Sequence, residues 1–245
     1  IVDIPNVGLP GDFYYKPLDT VGDYVDYTGS VLAIDPSGRG KDETAFAVVK
    51  MLNGVLHLID FGGIEGGYDE NVLKTISVLA QKYKVNYIII ESNFGDGMFT
   101  ELLKPVLTKV YPCTIEEVKH NIQKEKRIID VLEPVMNQHR LVVDRKALER
   151  DYSSVQHYPP EKQAKYMLAY QMTRITREKG ALVHDDRIDV LSMAVAYWVE
   201  QMAADVDKEI KVRKDKLLDE ELERFMANAL GKDRYRPENI TWMQV

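Results

Sequence analysis

The chain has 245 residues, 45% of them hydrophobic and 29% charged, which is ordinary for a globular protein. Its net charge of -7 argues against nonspecific duplex binding over the whole surface, so any nucleic-acid contact requires a local basic patch. No apolar run approaches the roughly 18 residues that span a bilayer, and the single cysteine, Cys113, excludes an internal disulfide or a cysteine-based zinc site. We therefore expect a cytosolic protein with no membrane role.

The first half of the chain alternates strand-like and helix-like segments. Residues 30–35, 44–49 and 55–61 are short β-rich runs separated by turn residues, and they predict a three-stranded antiparallel meander. Apolar residues at helical spacing follow over 69–83, and the run at 86–91 is typical of a buried strand. This order predicts a βαβ crossover.

The second half predicts helices over 98–107 and 124–136, a short strand over 140–143, and a final helix over 187–202. The final helix has one wide apolar face, formed by Ile188, Leu191, Val195, Trp198 and Met202. Dense alternating charge over 207–230 predicts an exposed helix or a partly ordered tail. The whole order predicts an α/β fold whose mixed sheet has helices on both faces, as in the RNase H-like arrangement.

Acidic residues end two of the predicted strands and begin the final helix. Asp35 ends the first strand, Glu91 ends the later parallel strand, and Asp185, Asp186 and Asp189 lie at the helix start. If the two strands are neighbours, these acids converge, and their oxygens suit Mg²⁺ or Mn²⁺. Two ions roughly 4 Å apart would activate a water and stabilise a leaving 3' oxygen. The pattern predicts metal-dependent phosphodiester hydrolysis.

Simpler interpretations exist for several of these residues. Asp186 and Asp189 have the spacing of a helix cap, although adjacent acids repel one another, which capping does not require and a bound cation relieves. His184 is either a metal ligand or a group that hydrogen-bonds to a ligand. Asp42, in the first hairpin, either approaches the same site or is an exposed loop acid.

Two loops have the composition of phosphate-binding segments. Residues 35–41 superficially resemble a P-loop, but Asp42 follows Lys41 where a Ser or Thr should hold Mg²⁺, and a strand follows instead of a helix. Nucleotide hydrolysis at this loop is therefore disfavoured. Residues 92–97 are glycine-rich and precede a helix, which permits close approach of a phosphate backbone or forms a plain strand-to-helix turn.

Basic residues cluster near two of the predicted helices, and this patch predicts a DNA-binding surface. The candidate residues are Lys124, Lys126, Arg127, Arg174, Arg177 and Arg187. Solvated helix faces are the alternative interpretation for the lysines. Interleaved tyrosines are candidates either for contact with sugars and bases or for core packing: Tyr152, Tyr158, Tyr166 and Tyr170.

Four segments together resemble a known family: AIDPSGRGKDETA, IIIESNFGDG, KEKRIIDVLEP and HDDRIDVLSMA. They are similar to the C-terminal nuclease domain of the large terminase subunit of tailed bacteriophages, of the short-tailed T-odd type, over residues 29–204. By this resemblance Asp35 is the first metal ligand, Glu91 the second, and Asp186, supported by Asp185, the third. Which acid of the final helix contacts the metal most directly stays open. Asp96 departs from the small residue that related domains have.

The resemblance implies an endonuclease that cuts concatemeric viral DNA during genome packaging, using Mg²⁺ or Mn²⁺. Its expected partners are double-stranded DNA, a packaging ATPase domain in the same full-length chain, a small terminase subunit and a portal, in the host cytoplasm. Residues 1–28 are then a linker remnant, 29–204 the nuclease domain and 205–245 a charged tail, and we expect a fragment of a longer polypeptide. The alternatives are another RNase H-like nuclease, of resolvase or transposase type, and a noncatalytic module that docks a motor to a capsid.

Overall fold

The computed structural model describes residues 25–37, 43–92 and 97–229. The chain divides into two units, residues 1–199 and residues 200–245. The strands are β1 (Gly29–Asp35), β2 (Glu43–Leu52), β3 (Val55–Glu65), β4 (Tyr87–Glu91), β5 (Thr114–Val118) and β6 (Leu141–Val143). The helices are α1 (Glu70–Tyr83), α2 (Met98–Val110), α3 (Lys124–Asn137), α4 (Arg145–Ser154), α5 (Pro160–Tyr166), α6 (Leu168–Arg174) and α7 (Asp186–Ala229).

The six strands form one mixed sheet in the order β5-β4-β1-β2-β3-β6. Strands β1, β2 and β3 form an antiparallel meander, whereas β4 pairs parallel with β1, β5 with β4, and β6 with β3. The predicted meander with added parallel strands is therefore confirmed. Because β1 and β4 are parallel neighbours, their carboxyl ends lie at the same edge of the sheet.

Helices α1 and α2 cover one face of the sheet. Side chains alternate along a strand, so Leu32 and Ile34 of β1 share this face and join a buried cluster with Ile88 and Ile90 of β4. Apolar residues of the two helices complete the cluster: Val72, Leu73, Ile76, Ala80, Phe99, Leu103 and Leu107. The nearly continuous burial of both strands fixes the register that places their terminal acids side by side.

The first part of α7 packs on the opposite face. The indole of Trp198 donates a hydrogen bond to the Val49 carbonyl oxygen at 3.2 Å. It lies so close to Gly29 that a Cβ there would approach the ring to 2.4 Å. A glycine is thus required at the start of β1, and the contact holds the first turns of α7 against the sheet.

Several elements differ from the sequence prediction. Strand β5 and helices α4, α5 and α6 were not predicted, and α7 begins at Asp186 and continues to Ala229. Strand β5 lies at the sheet edge and exposes Glu116 and Glu117, so it lacks the apolar pattern of a buried strand. Edge strands of this kind are difficult to recognise from sequence.

Some sequence predictions fall outside the described residues. These are residues 1–24 of the predicted linker 1–28, and residues 38–42 of the first loop, which include Asp42. Residues 93–96 of the glycine-rich loop 92–97, which include Asp96, also fall outside. The proposed boundary between residues 204 and 205 stays a prediction. None of the helices in the described ranges combines the length and the apolar character needed to cross a membrane.

Candidate metal centre

Three carboxylates from separate segments meet at the edge of the sheet. Ile34 pairs with Ile90 in the parallel register, so the next residues, Asp35 and Glu91, emerge side by side. Asp189, one turn into α7, projects to the same point. One carboxylate oxygen from each of these three acids lies within 4.8 Å of the others.

The third member of this close group is Asp189, whereas the sequence analysis gave that place to Asp186. Asp189 is fully buried, while the side chains of Asp185 and Asp186 are 23% and 33% exposed. Its carboxylate accepts hydrogen bonds from Arg127 and from the Ser192 hydroxyl. The geometry therefore favours Asp189 as the innermost acid and places the adjacent pair at the rim of the cluster.

Burial and the proximity of like charges raise the pKa values of two of these acids. Burial, reinforced by the charge of Glu91, raises the pKa of Asp35 well above its ordinary value. Burial and the charge of Asp189 likewise raise the pKa of Glu91. Such shifts are expected where carboxylates crowd without enough positive charge, and a bound cation favours their ionised forms.

Two cations of helix α3 face the acids. The Lys124 ammonium nitrogen lies 2.8 Å from an Asp185 oxygen and 3.2 Å from an Asp189 oxygen. It also lies 3.7 Å from Asp186 and 3.9 Å from Asp35. The Arg127 guanidinium is 2.8 Å from Asp189 and 3.7 Å from Glu91. The sequence analysis assigned both basic residues to DNA, but in this structure both form ion pairs with the acidic cluster.

Unpredicted contacts hold the beginning of α3 at this edge. Strand β5 is parallel to β4, so the chain leaves β5 on the same side as Glu91 and enters α3 shortly afterwards. The Glu125 carboxylate accepts a hydrogen bond from the Gly180 amide at 2.5 Å, and Gln123 donates to the Arg177 carbonyl oxygen. The segment that leads into α7 is thereby attached to α3.

The expectation that Arg187 lies on a DNA-binding surface is wrong. Its side chain is 1% exposed and forms salt bridges with Glu43 at 3.0 Å and Asp151 at 2.8 Å. Asp151 also accepts hydrogen bonds from the amides of Leu168 and Ala169 at the start of α6. Arg187 therefore joins the start of α7 to β2 and α4, a role that the spacing of basic residues does not reveal.

A stack of rings supports the His184 segment from the other side. His184 stacks on Tyr166 with 3.9 Å between ring centroids, and Tyr166 stacks on Tyr158 at 4.2 Å. The Tyr158 hydroxyl donates a hydrogen bond to Glu43. Tyr158 and Tyr166 therefore pack against protein groups, but both are half-buried and lie outside the core. His184 is not in the close acidic group, which leaves metal ligation by His184 without support.

The remaining basic candidates occupy different environments. Arg177 is exposed, but its guanidinium is engaged by Asp130 at 2.8 Å and Glu133 at 3.1 Å. Lys126 is exposed on α3, and Arg174, at the end of α6, is partly exposed. The role of Lys126, Arg174 and Arg177 in DNA binding stays a prediction.

The donor set fits a hard divalent cation. Every member of the close group offers a carboxylate oxygen, the ligand that Mg²⁺ and Mn²⁺ prefer, and the group includes neither sulfur nor imidazole. The pair Asp185 and Asp186 provides further carboxylates nearby. Asp35, Glu91 and Asp189 are thus the residues that would hold a first ion, with the rim pair available to extend the site.

Comparison with known proteins shows similarity to terminases. Residues 34–141 match the family model described as the ribonuclease H-like domain of the bacteriophage T7 terminase. This region of the chain is therefore similar to a terminase RNase H-like domain. A curated relative, the terminase large subunit of Enterobacteria phage T3, is 41% identical over 206 residues, which are 84% of this chain. Those residues cover 35% of the relative, so the chain spans only part of that terminase subunit.

Two solved structures share the fold of this chain. An Mn-soaked, inhibitor-bound human cytomegalovirus terminase nuclease domain has a TM-score of 0.50 and 12% identity, covering 69% of this chain and 82% of that chain. Another structure of the human cytomegalovirus terminase nuclease domain has a TM-score of 0.50 and 13% identity, covering 71% and 86%. The predicted family resemblance and RNase H-like fold are confirmed.

Proposed function

We propose that this terminase domain is a metal-dependent DNA endonuclease that cuts concatemeric viral DNA during genome packaging. The observation that carries the proposal is the convergence of Asp35, Glu91 and Asp189 within 4.8 Å at the edge of an RNase H-like sheet. The similarity of residues 34–141 to a terminase ribonuclease H-like domain supports the same function. The Mn-soaked cytomegalovirus nuclease domain, which shares the fold, is consistent with divalent metal use.

In the proposed hydrolysis, some residues of the domain would hold the metal and others would position those residues. Bound Mg²⁺ or Mn²⁺, as one or two ions, would supply a water nucleophile and charge stabilisation at the leaving oxygen. Asp35, Glu91 and Asp189 would hold the ion, and Asp185 and Asp186 extend the negative charge of the cluster towards solvent. Arg127 fixes Asp189 and Glu91. Buried Arg187 and the ring stack at His184 keep the start of α7 in place.

The wider setting is also part of the proposal. The phage T3 relative is a terminase large subunit, and the chain covers 35% of it. We infer that a packaging ATPase domain belongs to the same full-length protein, and that the small terminase subunit, the portal and double-stranded DNA are its partners in the host cytoplasm. The chain alone then performs the cutting step.

Nicking of supercoiled plasmid tests the function directly. The purified chain should convert supercoiled DNA to nicked and linear forms in millimolar Mn²⁺ or Mg²⁺, and EDTA should stop the reaction. A noncatalytic docking module would leave the plasmid intact under every metal condition. Preferential cutting of four-way junctions over linear duplex would instead favour a resolvase.

Metal binding should stabilise the protein. Because the ion binds the native carboxylate cluster and not the unfolded chain, millimolar Mn²⁺ should raise the melting temperature by mass action. Asp35 and Glu91 have raised pKa values, so binding must release protons, and metal affinity should rise with pH from the ordinary carboxyl range to the raised pKa values. Thermal melting across a Mn²⁺ titration at several pH values checks both effects. A melting temperature independent of Mn²⁺ would argue against the site.

DNA binding should depend on basic residues that reach the surface, among them the exposed Lys126 and the partly exposed Arg174. Replacing Lys126 and Arg174 by alanine should weaken binding of unrelated duplexes about equally, because phosphate contacts carry no base information. Each lost contact should reduce the log-log salt slope by roughly one unit. Affinity measured against salt in Ca²⁺ tests this, with Lys74→Ala, an exposed lysine of α1, as the control. Unchanged affinity and slope would place the DNA elsewhere.

A further inference from the structure

One side chain lies inside the acidic cluster without being an acid. The Lys124 ammonium is within 4 Å of carboxylates from both segments that bracket the centre, β1 and α7. Two of these neighbours, Asp35 and Asp189, belong to the close group of three. Lys124 therefore contacts two of the three carboxylates that would hold an ion, from the side of Asp185.

The charge balance explains why a cation is held there. Five carboxylates converge on this edge, and Lys124 and Arg127 are the basic side chains seen to pair with them in the described part of the chain. The Lys124 ammonium contacts four of these carboxylates, and its positive charge offsets the repulsion among them.

The two cations differ in how firmly they are held. Arg127 is 10% exposed and is fixed by the fully buried Asp189. Lys124 is 32% exposed, and its shortest contact is with Asp185, an acid at the solvent side of the cluster. A flexible lysine on that side is able to leave towards solvent without opening the core, whereas Arg127 is not.

We propose that Lys124 is a resident counter-cation of the nuclease centre, which a divalent ion must displace in order to bind. This inference rests on the proposed metal-dependent function and concerns its regulation. The lysine keeps the acids in place while no metal is bound. Because an incoming ion must displace it, the free-energy cost of this displacement lowers the apparent affinity of the centre for metal. Metal loading is then an exchange of one positive charge for another.

If this exchange occurs, removing the charge of Lys124 should lower the stability of the metal-free protein and raise its affinity for metal. Lys124→Met should lower the melting temperature of the metal-free protein, because the acids lose a counter-charge. The same variant should bind Mn²⁺ at least about tenfold more tightly, because no ammonium competes or repels the ion. A lysine that merely supports the shape of the site would lower both the stability and the metal affinity.

Isothermal titration calorimetry with Mn²⁺, in the absence of DNA, measures the affinity independently of cleavage. Lys124→Gln removes the charge but keeps a hydrogen-bond donor for Asp185, and it serves if the methionine variant does not fold. Lys124→Arg keeps the charge and should retain affinity near that of the wild type. Lys74→Met, at an exposed lysine of α1 that pairs with Glu70, should leave both the metal affinity and the melting temperature nearly unchanged.

The outcomes separate this inference from the function on which it rests. Tighter Mn²⁺ binding by both neutral variants, with unchanged binding by the Lys74 control, supports the exchange. If the wild type binds Mn²⁺ and both neutral variants bind it with equal or lower affinity, the proposed role of Lys124 is overturned and the metal centre stands. No binding to the wild type overturns the metal centre and the exchange together.

Discussion

Asp35→Asn and Glu91→Gln should each reduce plasmid cleavage by more than about a hundredfold, the upper range for residues that only support a metal ligand. Each substitution removes one charged oxygen donor from the close group of three acids and weakens the hold on the cation. Neither should unfold the protein. Because the pKa values of both acids are raised by burial and like charge, a neutral amide relieves repulsion in the metal-free cluster.

The substitutions should therefore have different effects on the stability of the metal-free protein and on its response to Mn²⁺. The melting temperature of the metal-free variants should equal or exceed that of the wild type, while the increase caused by Mn²⁺ should be lost. Glu101→Gln is a matched control, since Glu101 is an exposed carboxylate on α2 paired with Lys104. It should retain cleavage and the Mn²⁺ response. Plasmid cutting at a near-normal rate by either centre variant would contradict the assignment of that acid.

Arg187→Met should produce the largest loss of stability among the substitutions considered, about 3–5 kcal/mol in the free energy of unfolding. The guanidinium neutralises Glu43 and Asp151, whose side chains are 5% and 2% exposed. Methionine has similar bulk but leaves two buried carboxylates without their cation. Urea denaturation followed by circular dichroism measures the loss. A loss below about 1 kcal/mol would show that the network is not a structural anchor.

Neutralising Glu43 and Asp151, the two acids that lose their cation, should restore part of the lost stability. A triple variant that adds Glu43→Gln and Asp151→Asn to Arg187→Met should recover stability, because the buried charges are gone while an oxygen remains for Tyr158 and for an α6 amide. Arg145→Met is the control. It removes an exposed pair with Glu149 on α4 and should cost less than about 0.5 kcal/mol.

The variants of Asp35 and Glu91 and those of Arg187 also distinguish the residues of the metal centre from the residues that position α7. Asp35 and Glu91 should affect cleavage with little cost in stability, whereas Arg187 should affect stability first and cleavage through the position of α7. This division follows from burial and charge, because the acids repel one another and Arg187 is fully compensated.

The alternation of apolar residues and the placement of acids in the sequence determined the main outline of the molecule. The buried runs of β1 and β4 each end in an acid, and their parallel pairing brings Asp35 beside Glu91. The helical spacing from Ile188 to Trp198 predicted the helix that carries Asp189. These signals are local, because strand and helix periodicity and terminal residues can be counted along the chain.

Only the tertiary structure decided which cations serve the centre and which serve the core. Lys124, Arg127 and Arg187 look alike in sequence, as basic residues near helix starts, and all were candidates for DNA. Strand β5, an exposed edge strand without an apolar pattern, sets where α3 begins and so brings Lys124 and Arg127 to the acids. Arg187 instead meets Glu43, 144 residues distant in the chain. Long-range ion pairs depend on the packing of separate elements, and a charge has no periodicity that reveals its partner.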